Sequence, residues 1–86
     1  MISVGFTPEF FRRLKKLTPQ LREIAFERIE LFRDRSNHQR LEVHKLHGEY
    51  KGFFGFSIDR RNRIMFEWVS DTEAILHTVG DHSIYD

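Results

Sequence analysis

Hydrophobic and polar residues recur with two different periods along this chain, and the change of period divides it into a helical first half and a strand-rich second half. Residues 2–6 alternate one by one, which is typical of a short strand. Apolar residues then recur at helical spacing over residues 10–17 and again over residues 21–32, with basic and acidic residues on the opposite faces. The pattern therefore predicts a strand followed by two amphipathic helices.

The starts of both helices are marked in the sequence. A Thr-Pro pair stands at residues 7–8 and again at residues 18–19. Each pair combines an N-cap hydroxyl with a proline at the first helical position. We therefore expect the first helix to end near Leu17 and the second to run to about Arg35, so that the two form a helical hairpin with almost no linker.

Three further alternations follow in the second half, over residues 54–58, 63–68 and 74–79. Polar residues at 59–62 and 70–73 separate them and are typical of turns. These segments predict an antiparallel meander of strands.

The segment between the helices and the meander is polar. Residues 36–42 are predicted to form a loop, and Gly48 and Gly52 are predicted to flank a turn. The predicted fold is α+β: a short N-terminal strand, a helical hairpin, then an antiparallel meander, with the helices packed on one face of a small sheet. Residues 1–86 form a single predicted domain.

The strand alternation also predicts which side chains face the helices. One set of large apolar residues is expected to point toward them: Phe56, Ile58, Ile64, Phe66 and Trp68. Ser57 and Arg63 then point to the other face, which no predicted helix remains to cover. A half-open, polar sheet face is a reasonable place for a ligand.

Composition excludes several classes of protein. Apolar residues make up 40% of the 86 residues, enough for one core, which argues against disorder. The chain has no cysteine, so it forms neither a disulfide framework nor a thiolate site. No apolar run approaches the ~20 residues of a membrane span, and residues 1–17 do not resemble a signal peptide. These features predict a soluble, cytoplasmic protein.

The net charge of +1 conceals an uneven distribution. Residues 35–63 carry seven lysines and arginines against three acidic residues, whereas residues 64–86 contain no lysine or arginine. A local basic segment in a neutral chain suggests a site for a polyanion. The alternative is a solvated region of loops and turns.

Several residues in the second half are candidates for chemistry. Arg63, at the start of a strand, either caps the sheet and pairs with an acid, or grips a phosphate and stabilises developing charge. His82 lies just past the last strand, after Asp81 and before Tyr85, and histidine suits proton transfer near neutral pH. Five histidines raise the question of a metal site, but no HxxxH stands on a helix and cysteine is absent, so none is predicted.

In combination, these residues resemble a known family. The pattern runs His44-Lys-Leu-x-Gly48, then Gly52 and an aromatic strand, then Asn62-Arg63-Ile64-x-Phe66, and closes with Gly80-x-His82 and Tyr85. It is similar to the RelE/ParE superfamily of type II toxins, closest to the ribosome-dependent mRNA interferases of the RelE, YafQ and HigB kind. The resemblance spans nearly the whole chain.

The resemblance implies roles for particular residues. His44 and His82 match the catalytic histidines of YafQ-like and HigB-like toxins, Arg63 matches the strand arginine used near the scissile phosphate, and Tyr85 matches the C-terminal tyrosine of the RelE-like group. Two positions depart from the pattern. Ser57 stands where a YafQ-like toxin has a second catalytic histidine, and Arg61 stands where it has an aspartate.

The function implied by the resemblance is a type II toxin that cuts mRNA in the ribosome and is neutralised by an antitoxin, without a metal or cofactor. The 2′-hydroxyl of RNA would attack the adjacent phosphate, with histidines as acid and base and Arg63 stabilising charge. The expected RNA-binding residues are Lys45, Lys51, Ser57, Arg60 and Arg61. Two alternatives remain: a ParE-like inhibitor of DNA gyrase without nuclease activity, and an inactive domain that binds RNA or a partner.

Overall fold

The computed structural model describes residues 1–85, and the side chains of His82 and Tyr85 lie outside that description. Its helices and strands in chain order are β1 (Ser3–Phe6), α1 (Pro8–Leu14), α2 (Pro19–Phe32), β2 (His44–Lys45), β3 (Phe54–Ser57), β4 (Asn62–Ser70) and β5 (Glu73–Asp81). Short 3₁₀ turns lie at Arg35–Asn37, Gly48–Tyr50 and His82–Tyr85. The predicted α+β order is confirmed.

Both helices begin where the sequence predicts. The hydroxyl of Thr7 accepts a hydrogen bond from the Phe10 amide at 3.0 Å, and the hydroxyl of Thr18 accepts one from Leu21 at 3.2 Å. Each cap satisfies an amide that has no partner inside its helix.

The second helix ends at Phe32 rather than near Arg35. The carboxylate of Asp34 accepts a hydrogen bond from the Ser36 amide at 2.9 Å and so starts a separate 3₁₀ turn. The side-chain amide of Asn37 then donates to the carbonyl of Leu31 at 2.9 Å, which satisfies a carbonyl at the end of the helix. This local competition from a short acidic side chain explains why helical periodicity alone predicts too long a second helix.

The sheet within residues 1–85 has the order β1-β5-β4-β3-β2. β3, β4 and β5 form the predicted antiparallel meander, while β1 pairs with β5 in parallel, with Val4 opposite Ala74. Between β1 and β5 the chain passes through the helical hairpin and through β2 to β4, a connection long enough for a parallel pair. β2 was not predicted, because two residues are too few to show an alternation.

The main core lies between the helices and one face of this sheet. Phe10 and Phe32 from the helices and Phe56, Ile64 and Phe66 from the strands are all completely buried. Ile58 is also buried, and Trp68 is half-buried against the same cluster. The predicted orientation of the strand residues is therefore confirmed.

The opposite face of the sheet is less open than the sequence suggests. Leu46, Met65 and Ile84 form a second, smaller apolar cluster there, with Tyr50 and Phe53 packed against it. The predicted absence of a helix over this face overlooks the 3₁₀ turn that carries Ile84, because so short a segment shows no periodicity. No helix in residues 1–85 is long and apolar enough to cross a membrane.

Candidate active site

His44 and Arg63 project from the same face of the sheet, opposite the main core. His44 pairs with Gly55 across β2 and β3, Gly55 pairs with Met65 across β3 and β4, and Met65 lies two residues from Arg63. Paired residues share a face, as do residues two apart on one strand. Strand spacing and rise put the Cα atoms of His44 and Arg63 about 12 Å apart. Two long side chains can therefore reach one group bound between them.

The imidazole of His44 is exposed and is oriented by a backbone contact. Its Nδ1 lies 2.7 Å from the carbonyl oxygen of Glu42. A carbonyl oxygen only accepts, so Nδ1 carries the proton in the neutral ring and the lone pair is on Nε2. This is the tautomer in which Nε2 acts as a base.

Glu42 provides that carbonyl from a strained backbone position. Its φ is 61°, the left-handed region, and among residues 1–85 no other residue except glycine has a positive φ. Such a conformation costs about 1–2 kcal/mol for a residue with a Cβ. Its carboxylate also accepts a hydrogen bond from the Ser57 hydroxyl at 2.9 Å. Strain of this kind accumulates at functional sites. The sequence contains no signal for it, since glutamate rarely adopts this conformation.

Ser57 is the direct cross-strand partner of Arg63, and both are half-buried. One terminal nitrogen of Arg63, Nη1, donates to the carbonyls of Asp59 at 2.7 Å and Asn62 at 3.1 Å. Backbone carbonyls at the turn between β3 and β4 thus hold one nitrogen of the guanidinium in place. Nε and Nη2 form no hydrogen bond to the residues that the structure describes, so these donors suit an external anion.

Asp59 organises that turn. Its Oδ1 accepts hydrogen bonds from the amides of Arg61 at 2.9 Å and Asn62 at 2.7 Å. Burial alone would raise the pKa of Asp59, but these hydrogen bonds and the charge of Arg63 outweigh it and hold the pKa below its usual value. The carboxylate is therefore ionised throughout the neutral range.

The side chains of His82 and Tyr85, both predicted to be catalytic, lie outside the described residues. The 3₁₀ turn to which they belong follows β5 directly. Gly80, two residues before His82, is the cross-strand partner of Arg63. The backbone of that turn therefore starts beside Arg63, on the same side of the molecule as the candidate site.

The predicted RNA-binding lysines and arginines differ in position. Lys45, Lys51, Arg60 and Arg61 are all exposed. Arg60 lines a cavity of about 310 Å³ next to Ser57 and Glu42, together with two arginines that the sequence reasoning missed, Arg28 and Arg40. Lys45 pairs with Phe54, which packs against the main core, so Lys45 leaves the sheet on the side opposite His44.

A second histidine on the same sheet face, His77, lies within ion-pair distance of Glu67. His77 sits at an irregularity in the β4–β5 register, and its Nε2 lies 2.7 Å from a carboxylate oxygen of Glu67. The ring of Phe53 packs against it edge-on at 5.1 Å. Among the side chains that the structure describes, which leave out that of His82, no three His, Asp or Glu gather as metal ligands would.

No protein-family model matches the sequence, and no curated protein matches it. Solved structures do match. The RelBE2 toxin–antitoxin complex from Mycobacterium tuberculosis is 25% identical, with a TM-score of 0.74 over 94% of this chain and 98% of that chain. The DinJ–YafQ toxin–antitoxin complex from E. coli has a TM-score of 0.75 at 11% identity, over 96% of this chain and 94% of that chain.

A third match extends the comparison to another toxin group. The YoeB–YefM complex from Staphylococcus aureus has a TM-score of 0.72 at 15% identity, over 95% of this chain and 98% of that chain. Coverage is nearly complete in both directions for each of these structures, so the similarity concerns the whole domain. The resemblance read from the sequence is confirmed: this chain has the fold of the RelE/ParE superfamily of toxins.

Proposed function

We propose that this chain is the toxin of a type II toxin–antitoxin system and acts as a metal-independent endoribonuclease on mRNA in the ribosome. The observation that carries the proposal is that His44, held in the tautomer of a base, shares one face of a RelE/ParE-like sheet with Arg63, whose Nε and Nη2 have no partner among the described residues. The cytoplasmic partners implied by the resemblance are the ribosome, its message and a neutralising antitoxin.

The chemistry divides among few groups. Cleavage of RNA by its own 2′-hydroxyl requires removal of that proton, stabilisation of the extra charge on the phosphate and protonation of the leaving 5′-oxygen. Nε2 of His44 suits the first task, and the free donors of Arg63 suit the second. His82 is the residue that the resemblance offers for the third, with Tyr85 three residues further along the chain.

Glu42 and Ser57 act as positioning residues in this proposal. The Glu42 carbonyl sets the tautomer of His44, and its carboxylate holds the Ser57 hydroxyl beside Arg63. Ser57 replaces the second histidine of the YafQ-like pattern, and a serine cannot act as a base at neutral pH. In this chain the proton transfers therefore fall to His44 and His82.

The test is cleavage of a reporter message in a translation extract, with the 5′ ends of the products mapped. His44→Ala and His82→Ala are each expected to slow cleavage by ~10²–10⁴-fold, the usual contribution of an acid–base group. His47→Ala is the matched control, because His47 is also exposed and lies three residues from His44. A wild-type protein that is folded yet leaves the message intact would refute the nuclease.

The same extract, supplemented with gyrase and plasmid DNA, tests the ParE-like alternative. Accumulation of gyrase–DNA breaks without mRNA cleavage would assign the chain to gyrase inhibition and make His44 and Arg63 structural or interface residues. A folded protein that shows neither gyrase–DNA breaks nor mRNA cleavage would favour the inactive binding domain.

A further inference from the structure

A second basic surface lies beside the candidate site. A cavity of about 620 Å³ opens between α1 and the 3₁₀ turn His82–Tyr85, over the outer face of the sheet. α1 contributes Arg12 and Arg13 to its wall, Lys16 follows just after the helix, and Glu9 is the one acid among the described residues that line it. Three cations against one carboxylate favour an anionic ligand.

This cavity lies next to the candidate site, and Gly80 is near both. Nε of Arg13 donates to the carbonyl of Val79 at 3.4 Å, which fixes the guanidinium over the end of β5. Nη2 of Arg13 lies 3.5 Å from the point where a Cβ on Gly80 would be. Gly80 is the cross-strand partner of Arg63. Arg13 and Arg63 therefore both lie beside Gly80, where Ile84 rather than a side chain at position 80 fills the space over the strand.

The wall of the cavity also contains a buried hydroxyl without a partner. Thr78 is 3% exposed, and its Oγ1 accepts and donates no hydrogen bond among the described residues. Most buried polar side chains have a partner, and an unmet hydroxyl is costly. Thr78 pairs with Met65, so it belongs to the same cross-sheet row as Gly55 and His44. A ligand with acceptor oxygens would satisfy this hydroxyl.

Phosphate fits these groups better than other anions. A guanidinium presents paired donors that match the oxygens of a phosphate, and Lys16 adds a point charge. The nearest cation of the candidate site, Arg63, is itself suited to a phosphate. Two phosphate-binding groups on either side of one residue, Gly80, match neighbouring linkages of a single strand of RNA.

We propose that the cavity between α1 and the 3₁₀ turn is a subsite for a phosphodiester of the RNA strand, adjacent to the linkage held at Arg63. The inference rests on the proposed nuclease function and names where its substrate strand leaves the site. Arg12, Arg13 and Lys16 hold the phosphate, Thr78 donates its hydroxyl, and Glu9 limits the affinity.

Binding of an uncleavable RNA, a single-stranded 2′-O-methyl hexanucleotide, tests the subsite without the ribosome. Arg12→Ala/Lys16→Ala is expected to weaken binding about tenfold and to reduce the slope of log affinity against log salt by about 0.7–1.4, since each phosphate contact contributes about 0.7 on single strands. Lys15→Ala is the matched control, because Lys15 is an exposed lysine of the same segment that does not line the cavity.

Two further variants keep the test independent of a general loss of charge. Glu9→Gln is expected to tighten binding about threefold, because it removes a carboxylate that repels the phosphate. Thr78→Val keeps the side-chain shape and removes the hydroxyl, so it is expected to raise Tm and weaken RNA binding together. A Thr78→Val protein with lower Tm and unchanged binding would show that the hydroxyl serves the fold alone.

The outcomes separate the subsite from the nuclease. If the wild-type protein cuts no message but Arg12→Ala/Lys16→Ala weakens hexanucleotide binding and Lys15→Ala does not, the subsite stands and the proposed activity falls. If message is cut but the wild type and all four variants bind the hexanucleotide equally, the subsite is refuted. Equal RNA binding with reduced affinity for a polyglutamate peptide would assign the cavity to an acidic protein segment instead.

Discussion

Glu42 links the two halves of the candidate site at the scale of single residues. Its carbonyl contacts His44 and its carboxylate contacts Ser57, which pairs with Arg63. Both contacts come from a residue with a left-handed backbone. The strain is held in place by buried Leu41, whose carbonyl accepts a hydrogen bond from the Ser57 amide at 2.9 Å.

Replacing Glu42 is expected to separate stability from activity. Glu42→Gly relieves the left-handed strain but loses the Ser57 contact, so these terms of about 1 kcal/mol each nearly cancel in the free energy of unfolding. Cleavage should nevertheless fall about tenfold or more, because the site is less well positioned. Glu42→Gln keeps both the strain and an acceptor for Ser57 and serves as the control. Chemical denaturation and the reporter assay measure the two quantities, and a parallel loss of both in Glu42→Gly would contradict this role.

Arg63 offers a second prediction at this scale. Arg63→Ala is expected to lower the cleavage rate by about 10²–10³-fold, the usual cost of removing one donor to developing charge. Its hydrogen bonds go to an exposed turn, so the free energy of unfolding should change by about 1 kcal/mol or less. Arg63→Lys keeps the charge without the planar donors, so its cleavage rate should lie between those of the wild type and Arg63→Ala. A variant that unfolds at ambient temperature would instead assign Arg63 to the fold.

At the scale of elements, the turn between β3 and β4 predicts a dependence of stability on pH. The pKa of Asp59 is lower in the folded chain than its ordinary value. The stabilisation it provides is therefore complete above the unfolded pKa of about 3.9 and is lost as pH falls through the folded value. Asp59→Ala should cost about 1 kcal/mol at pH 7 and progressively less below about pH 4.

Denaturation curves of both proteins between pH 2 and pH 7 would measure this difference. Asp71→Ala, in the exposed turn between β4 and β5, is the control carboxylate. A difference between wild type and Asp59→Ala that stays constant down to the lowest pH would contradict the assigned role of the carboxylate.

Gly80 determines how the last 3₁₀ turn packs on the sheet. A Cβ at this position would lie 2.8 Å from Cγ2 of Ile84, closer than packed carbon atoms allow. Gly80→Ala is therefore expected to cost about 1–3 kcal/mol by overpacking. In Gly80→Ala/Ile84→Ala the obstructing methyl is absent, so the double-mutant cycle should show coupling of at least about 0.5 kcal/mol. Additive costs would mean that the turn moves without strain.

The accuracy of the structure predicted from the sequence also differs from element to element. The strands with Phe56, Ile64 and Phe66 were predicted correctly because one buried face imposes a strict alternation. The end of α2 was missed because the side chain of Asp34 starts a new turn, and β2 because two residues carry no period. Among site residues, the shared face of Ser57 and Arg63 followed from the alternation, whereas the backbone of Glu42 and the cavity beside α1 depend on tertiary packing.

At the scale of the whole molecule, one aromatic cluster holds the domain together. The ring of Phe66 packs against Phe32 at 4.8 Å, Trp68 at 5.3 Å, Phe54 at 5.6 Å and Phe56 at 5.8 Å between centroids. Phe66→Ala should lose ~3–5 kcal/mol, a large part of the stability of a domain this small. Val69→Ala, at an exposed position of the same strand, should stay within about 0.5 kcal/mol in the same thermal melts. Similar losses in both variants would mean that the cluster is not the core.

The position of β5 in the sheet has a consequence for how the newly made protein matures. β5 is the last strand along the chain, yet it lies between β1 and β4, and the hydroxyl of Thr7 reaches across to the carbonyl of His77. Contacts between residues so distant in sequence slow folding, because a long loop must close before any contact is gained. Until residues 73–81 have been synthesised, β1 has no partner and Gly80 is not beside Arg63. On a nascent chain the sheet that carries the candidate site therefore stays incomplete until its inner strand β5 has been made.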